Sequence, residues 1–154
     1  MKLKLYCYVM VCLFLLEGCE NCSDTADERV TSFIDMEFVD NNGDNLIDAV
    51  KGPYHPDSIK AFTENNDSFS FKKWTDPVLK HVQLELLPPF NDTGETVVYL
   101  YLNHLDTDTL VINYSHHKNK CSDYYEYTNY RFNGKEVKIN YMEHSVLKLL
   151  KKRK

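Results

Sequence analysis

The chain has no excess of positive charge. Its 18 Lys and Arg are outnumbered by 23 Asp and Glu, for a net charge of −5. General nucleic-acid binding needs a basic footprint, so that class is excluded. No apolar run reaches the about twenty residues of a membrane-spanning helix. The longest, 5–16, has 12 residues. There is no G-x-S-x-G elbow, the local signature of a hydrolase nucleophile. There is no His-Glu-x-x-His spacing, the signature of a helical zinc protease. Glycine is scarce, with 5 residues in 154.

What the chain does have is aromatic and β-branched. It contains 11 Tyr and 8 Phe, residue types that suit a pleated, half-buried surface. Its length allows one domain and hardly two. Alternation predicts strands over 31–40, 58–63, 68–74, 81–87, 96–102, 109–115, 124–132 and 136–141. In 96–102, Val98, Leu100 and Leu102 face one way and Val97, Tyr99 and Tyr101 the other. Both faces are bulky, so this strand is expected to be central. Residues 68–74 read as the strand returning from 58–63. Asn42-Gly43 and Asn133-Gly134 are hairpin-turn signals, and Asp106-Thr107-Asp108 reads as another turn. The end is ambiguous. Val146, Leu147, Leu149 and Leu150 fit a short helix, and a last strand is nearly as good. The expected fold is a single all-β domain, an antiparallel β-sandwich of immunoglobulin-like or transthyretin-like character, with a possible short C-terminal helix.

The N-terminus has the layout of an export signal. Lys2 and Lys4 precede the apolar run, and Gly18 stands before Cys19. Leu16-Glu17-Gly18-Cys19 resembles a lipobox, the cleavage site of bacterial lipoprotein signal peptides. Leu16, Gly18 and Cys19 match, and Glu17 departs from the usual small or apolar residue. The resemblance implies cleavage before Cys19 and acylation of that residue, with membrane lipid as its partner. Ordinary signal cleavage, giving a freely secreted protein, is the alternative. The acidic stretch 20–28 resembles the surface-export signal of lipoproteins from the Bacteroidetes phylum. Phe38–Asp48 and Tyr130–Lys135 resemble segments of small lipoproteins of that phylum. These resemblances imply a lipid-anchored protein of the cell envelope, at the outer membrane. The division expected is 1–18 signal peptide, 19–30 flexible acidic tether, 31–145 sandwich, and 146–154 basic C-terminal tail. That tail is either solvated or in contact with anionic head groups.

Four groupings of residues bear on chemistry. Trp74, Tyr99, Tyr101, Tyr125 and Tyr127, with Tyr124 and Tyr130, could form an aromatic platform for a protein or glycan partner. Packing across strands is the plainer role for such rings. Asp40, Asn42, Asp44 and Asp48 fall at alternating positions that suit a calcium loop. Gly43 is misplaced for one, and Lys51 stands where a bidentate acid is needed, so a backbone-bonded turn is the simpler reading. The six His lack metal spacing, and Cys22 and Cys121 could form one disulfide or stay free. Asp24-Thr25, Asp57-Ser58 and Asp108-Thr109 resemble short acceptor motifs for O-glycosylation in the same phylum. No cofactor is expected. The sequence reads as a non-enzymatic binding module, with a structural component of the outer membrane, or a small enzyme or inhibitor, as alternatives.

Overall fold

A computed structural model describes residues 31–65, 69–78, 80–120, 122–137 and 146–152. The signal segment, the tether, Cys19, Cys22, Cys121 and His144 lie outside the described residues.

The described residues form nine strands and one 3-10 turn, Pro56–Ser58. The strands are β1 (Ile34–Val39), β2 (Lys60–Phe62), β3 (Ser70–Thr75), β4 (Val82–Leu87), β5 (Glu95–Asn103), β6 (Asp106–Lys118), β7 (Asp123–Phe132), β8 (Lys135–Val137) and β9 (Leu147–Leu150). They make two sheets, ordered β3-β4-β1-β9 and β2-β5-β6-β7-β8. The fold is an all-β sandwich.

Alternation explains the core directly, because successive strand residues point to opposite faces. Val98, Leu100 and Leu102 of β5 are fully buried, as are Leu110 and Ile112 of β6. From the other sheet come Met36, Phe38, Leu84, Leu86, Leu147 and Leu149, also fully buried. Phe38 and Phe132 meet edge to face, with ring centroids 5.8 Å apart. Leu46, Ile47 and Tyr54 fill the same core.

The strands define two poles. β1 enters the sandwich at Ile34 and leaves at Val39. At the entry pole, the Tyr125 N–H donates to Thr31 Oγ1 (2.9 Å), and the Tyr127 hydroxyl donates to the Ser32 carbonyl (2.9 Å). At the opposite, loop pole lie 40–59 and the β3–β4, β5–β6 and β7–β8 turns. This follows from register: Val39 pairs with Leu150, and Thr75 with Val82. The Tyr54 hydroxyl reaches Asp106 at the start of β6 (2.6 Å).

Four expectations are corrected. The segment from Val146 is neither a helix nor a free tail, because Leu147–Leu150 is a strand of the first sheet. Leu147 and Leu149 point inward at a spacing of two, where β1 offers an unpaired edge. That pairing is parallel, so the sandwich is not wholly antiparallel. β3 does not return along β2: β2 pairs with β5 and β3 with β4, so the chain changes sheets between them. Asp106-Thr107-Asp108 is the start of β6, and the turn is His104-Leu105.

Candidate binding surfaces

The five candidate aromatic residues fall on three separate surfaces. Trp74 sits on the outer face of the first sheet, opposite Gln83. Tyr99 and Tyr101 sit on the outer face of the second sheet, opposite Phe62 and Lys60. Tyr99 and Phe62 stack at 5.5 Å with an interplanar angle of 20°.

Tyr125 and Tyr127 lie elsewhere because β7 carries a bulge. Asn113 pairs with Asn129, but Tyr114 pairs with Tyr127, so Thr128 is skipped. One extra residue re-aims the strand. Tyr125 and Tyr127 pack against the core at the entry pole. Phe90, Tyr125 and His116 form a three-ring stack, with centroids 3.9 and 4.5 Å apart. Burial raises the ionisation range of the Tyr127 phenol above that of a free tyrosine. These two rings close one end of the sandwich.

The outer face of the second sheet is the broader surface. Phe62, Val97, Tyr99, Tyr101, Thr109 and Val111 are each half-buried there. A polar border follows: Glu95 Oε2 accepts from Arg131 (2.8 Å) and from Asn113 Nδ2 (2.9 Å). The face is thus apolar and hydroxyl-bearing at its middle and charged along one side. The rings and threonine methyls there offer apolar area, and the hydroxyls offer directional hydrogen-bonding groups.

The calcium candidates are engaged with their own backbone. Asp40 Oδ1 accepts the N–H groups of Asn42 (2.8 Å) and Asp44 (3.1 Å). Asp48 Oδ1 accepts those of Lys51 (2.8 Å) and Val50 (2.6 Å), which in that order lower the ionisation range of its carboxyl. Asn42 and Asp44 are exposed. Among the described residues no three His, Cys, Asp or Glu side chains gather as a metal site.

A buried ionic cluster is the feature the sequence reading missed. Lys151 Nζ donates to Asp106 Oδ1 (2.8 Å) and to Asp108 Oδ1 and Oδ2 (2.7 and 2.6 Å). The Tyr54 hydroxyl also donates to Asp106, and Asn133 Nδ2 to Asp108 (2.8 Å). The Lys151 side chain is 9% exposed. Its amine, assigned from sequence to a basic tail, ties β9 to β6.

Histidine–carboxylate pairs lie on the two faces of the β6–β7 hairpin. His116 is 2.7 Å from Asp123, and His117 is 3.1 Å from Glu126. The His116 hydrogen bond, followed by that of Lys118, holds the Asp123 carboxyl below its usual range. Of the glycosylation-type hydroxyls, Ser58 Oγ is bonded to the Leu102 carbonyl (2.5 Å), whereas Thr109 lies on the outer face of β6. A cleft of about 440 Å³ opens between β8 and β9, lined by Phe132, Val137, Leu150, Lys135 and Lys152 among others.

The chain matches no protein-family model, no curated protein and no solved structure. Among the described residues no helix is long and apolar enough to cross a membrane.

Proposed function

We propose that this protein is a lipid-anchored, non-enzymatic binding module of a bacterial cell envelope, of the kind found in small Bacteroidetes lipoproteins. Cys19 is its attachment point, at the outer membrane. The outer face of the five-stranded sheet is its contact surface for a protein or glycan partner. The observation that carries the anchor is the placement of Leu16-Glu17-Gly18-Cys19 directly after a twelve-residue apolar run. More than one acyl chain on one residue gives stable attachment, where a single chain is marginal. The observation that supports the contact surface is the set of half-buried Phe62, Tyr99 and Tyr101 beside a charged border.

The direct test of the anchor is fractionation of the producing cell. Wild type is expected in the detergent-extracted membrane, and Cys19→Ala in the soluble or precursor fraction. Equal membrane retention of both in the cleaved form would refute the anchor. For the face, a Tyr99→Ser/Tyr101→Ser variant should lose retardation in gels cast with envelope polysaccharide while keeping its thermal midpoint within a few degrees. An unretarded wild type would reject a glycan partner and leave protein partners to the same variant.

A further inference from the structure

We infer that the cleft between β8 and β9 binds a free anionic amphiphile, one hydrocarbon chain ending in a carboxylate. The site is separate from the outer face of the second sheet, and it does not depend on acylation of Cys19.

β8 is an edge strand of the second sheet and β9 an edge strand of the first. The cleft therefore opens at the seam where the two layers of the sandwich part. Its volume of about 440 Å³ lies within the roughly 300–1,000 Å³ of small-molecule sites.

Strand parity decides what points toward this seam. Across the β7–β8 hairpin, Phe132 pairs with Lys135 and Tyr130 with Val137. Directly paired residues share one face of a sheet. Phe132 and Tyr130 are buried in the core, so Lys135 and Val137 have the core-facing parity. Val137 packs against the core, whereas Lys135 stays exposed at the open edge. From the other sheet Leu150 lines the cleft, and it is 61% exposed. Phe132, Val137 and Leu150 give the lining its apolar part.

The charged part is mainly positive. Lys135, Lys148, Lys151 and Lys152 line the cleft against one acid, Glu136. Glu136 pairs across from Arg131, on the opposite face of β8 from Lys135. The acids nearest the lysines are already answered. Lys151 spends its N–H donors on Asp106 and Asp108. Glu37, across from Lys148 in the sheet, is turned to His81 (3.1 Å). Lys135 and Lys152 are exposed and carry no hydrogen bond or ion pair among the described residues. Their ammonium groups are thus left to donate to an anion, and they repel a cation. A bare inorganic anion would leave the apolar lining in water. A hydrocarbon chain removes it from water, which is the favourable direction.

The test follows the amide resonances of the full chain as dodecanoate is added below its micelle concentration. Those of Lys135, Val137 and Leu150 should move together and saturate. Those of Tyr99 and Tyr101, on the outer face of the second sheet, should stay in place. The readout reports the cleft itself, so amphiphile gathered on the apolar run at 5–16 does not imitate it. Dodecyltrimethylammonium, acetate and inorganic phosphate should leave the cleft resonances unmoved. Lys135→Gln and Lys152→Gln should each weaken dodecanoate binding by roughly twofold to fivefold. Neither side chain has a bond to lose, so the thermal midpoint should hold. Cleft resonances that ignore dodecanoate overturn the inference. So does an equal response to the cationic amphiphile, or an affinity unchanged in the double variant, because charge would then not select the ligand. Vesicles of phosphatidylglycerol should have no effect on the cleft. A response to vesicles without one to dodecanoate also overturns the inference, because the residues would then be meeting a bilayer.

Discussion

Lys151 shows how much one side chain can depend on its burial. In water a lysine–aspartate pair contributes about 0–1 kcal/mol. Here Lys151, Asp106 and Asp108 are each 9% exposed or less in the side chain, and every charge is hydrogen-bonded to a partner. Removing the amine leaves two buried carboxylates with a diminished set of donors. Lys151→Met is therefore expected to cost about 3–5 kcal/mol, read as a shift of the urea midpoint. Exposed Lys152→Met should change it little. A gentler effect belongs to Asp35, which faces Glu85 across β1 and β4. Burial first, and then the Glu85 charge, raises its ionisation range. Its charged form is thus unfavourable in the fold. Asp35→Asn should raise the midpoint at pH 7, and the gain should vanish in acid, where wild type is protonated.

Tyr54 adds a sensitivity to base. Burial, the hydrogen bond to Asp106 and the Asp106 and Asp108 charges, in that order, raise the ionisation range of its phenol. In the unfolded chain it ionises at about 10. The stabilisation is complete below that value and falls as pH rises above it, because only the unfolded state then loses the proton. Thermal midpoints measured across that range should fall less steeply for Tyr54→Phe than for wild type. None of this cluster was read from the sequence. Lys151 stands in a run of cations, and Asp106-Thr107-Asp108 has the composition of a turn. The usable signal was phase: Asp106 and Asp108 share the inward parity of Leu110 and Ile112.

Among the elements, legibility followed the length of the alternating pattern. β5 carries four inward residues in perfect alternation and was placed to within a residue at each end. β9 is four residues long, and its leucines satisfy either period. Only the open edge of β1, a tertiary fact, chooses the strand. The fully buried Leu149 then becomes a sensitive position: Leu149→Ala should cost about 2–5 kcal/mol by urea unfolding, while exposed Leu150→Ala should cost far less. Two glycines separate two kinds of turn constraint. Gly134 has φ +77° with open space around it, so Gly134→Ala should cost only about 1 kcal/mol from backbone strain. Gly52 lies under the loop of Val50, where an added Cβ would stand 2.6 Å from the Asp48 nitrogen and 2.7 Å from the Leu46 oxygen. Backbone atoms cannot rotate aside, so Gly52→Ala should destabilise more than Gly134→Ala in the same assay.

For the whole molecule, sheet membership was the part the sequence concealed. Periodicity says which residues point inward, but not which strand is the neighbour. It therefore placed β3 beside β2, when the chain crosses to the other sheet. The same limit hid the separation of the aromatic candidates: Trp74, the Tyr99–Tyr101 pair and the Tyr125–Tyr127 pair all alternate well, yet they end on three surfaces. Long-range pairing also shapes the route to the fold. Met36 pairs with Leu147, so the first strand finds one of its neighbours more than a hundred residues later. Such contacts slow folding, since a large loop must close before they form. A chain ending at residue 145 lacks both β9 and Lys151. It should lose cooperative unfolding and be cleaved rapidly by protease under conditions where the full chain resists.

That meeting of first strand and last carries a consequence for the polypeptide as it is made. Until the residues of β9 have been made, β1 has a bare flank and the aspartates of β6 lack Lys151, so the two sheets close fully only once 147–151 are present.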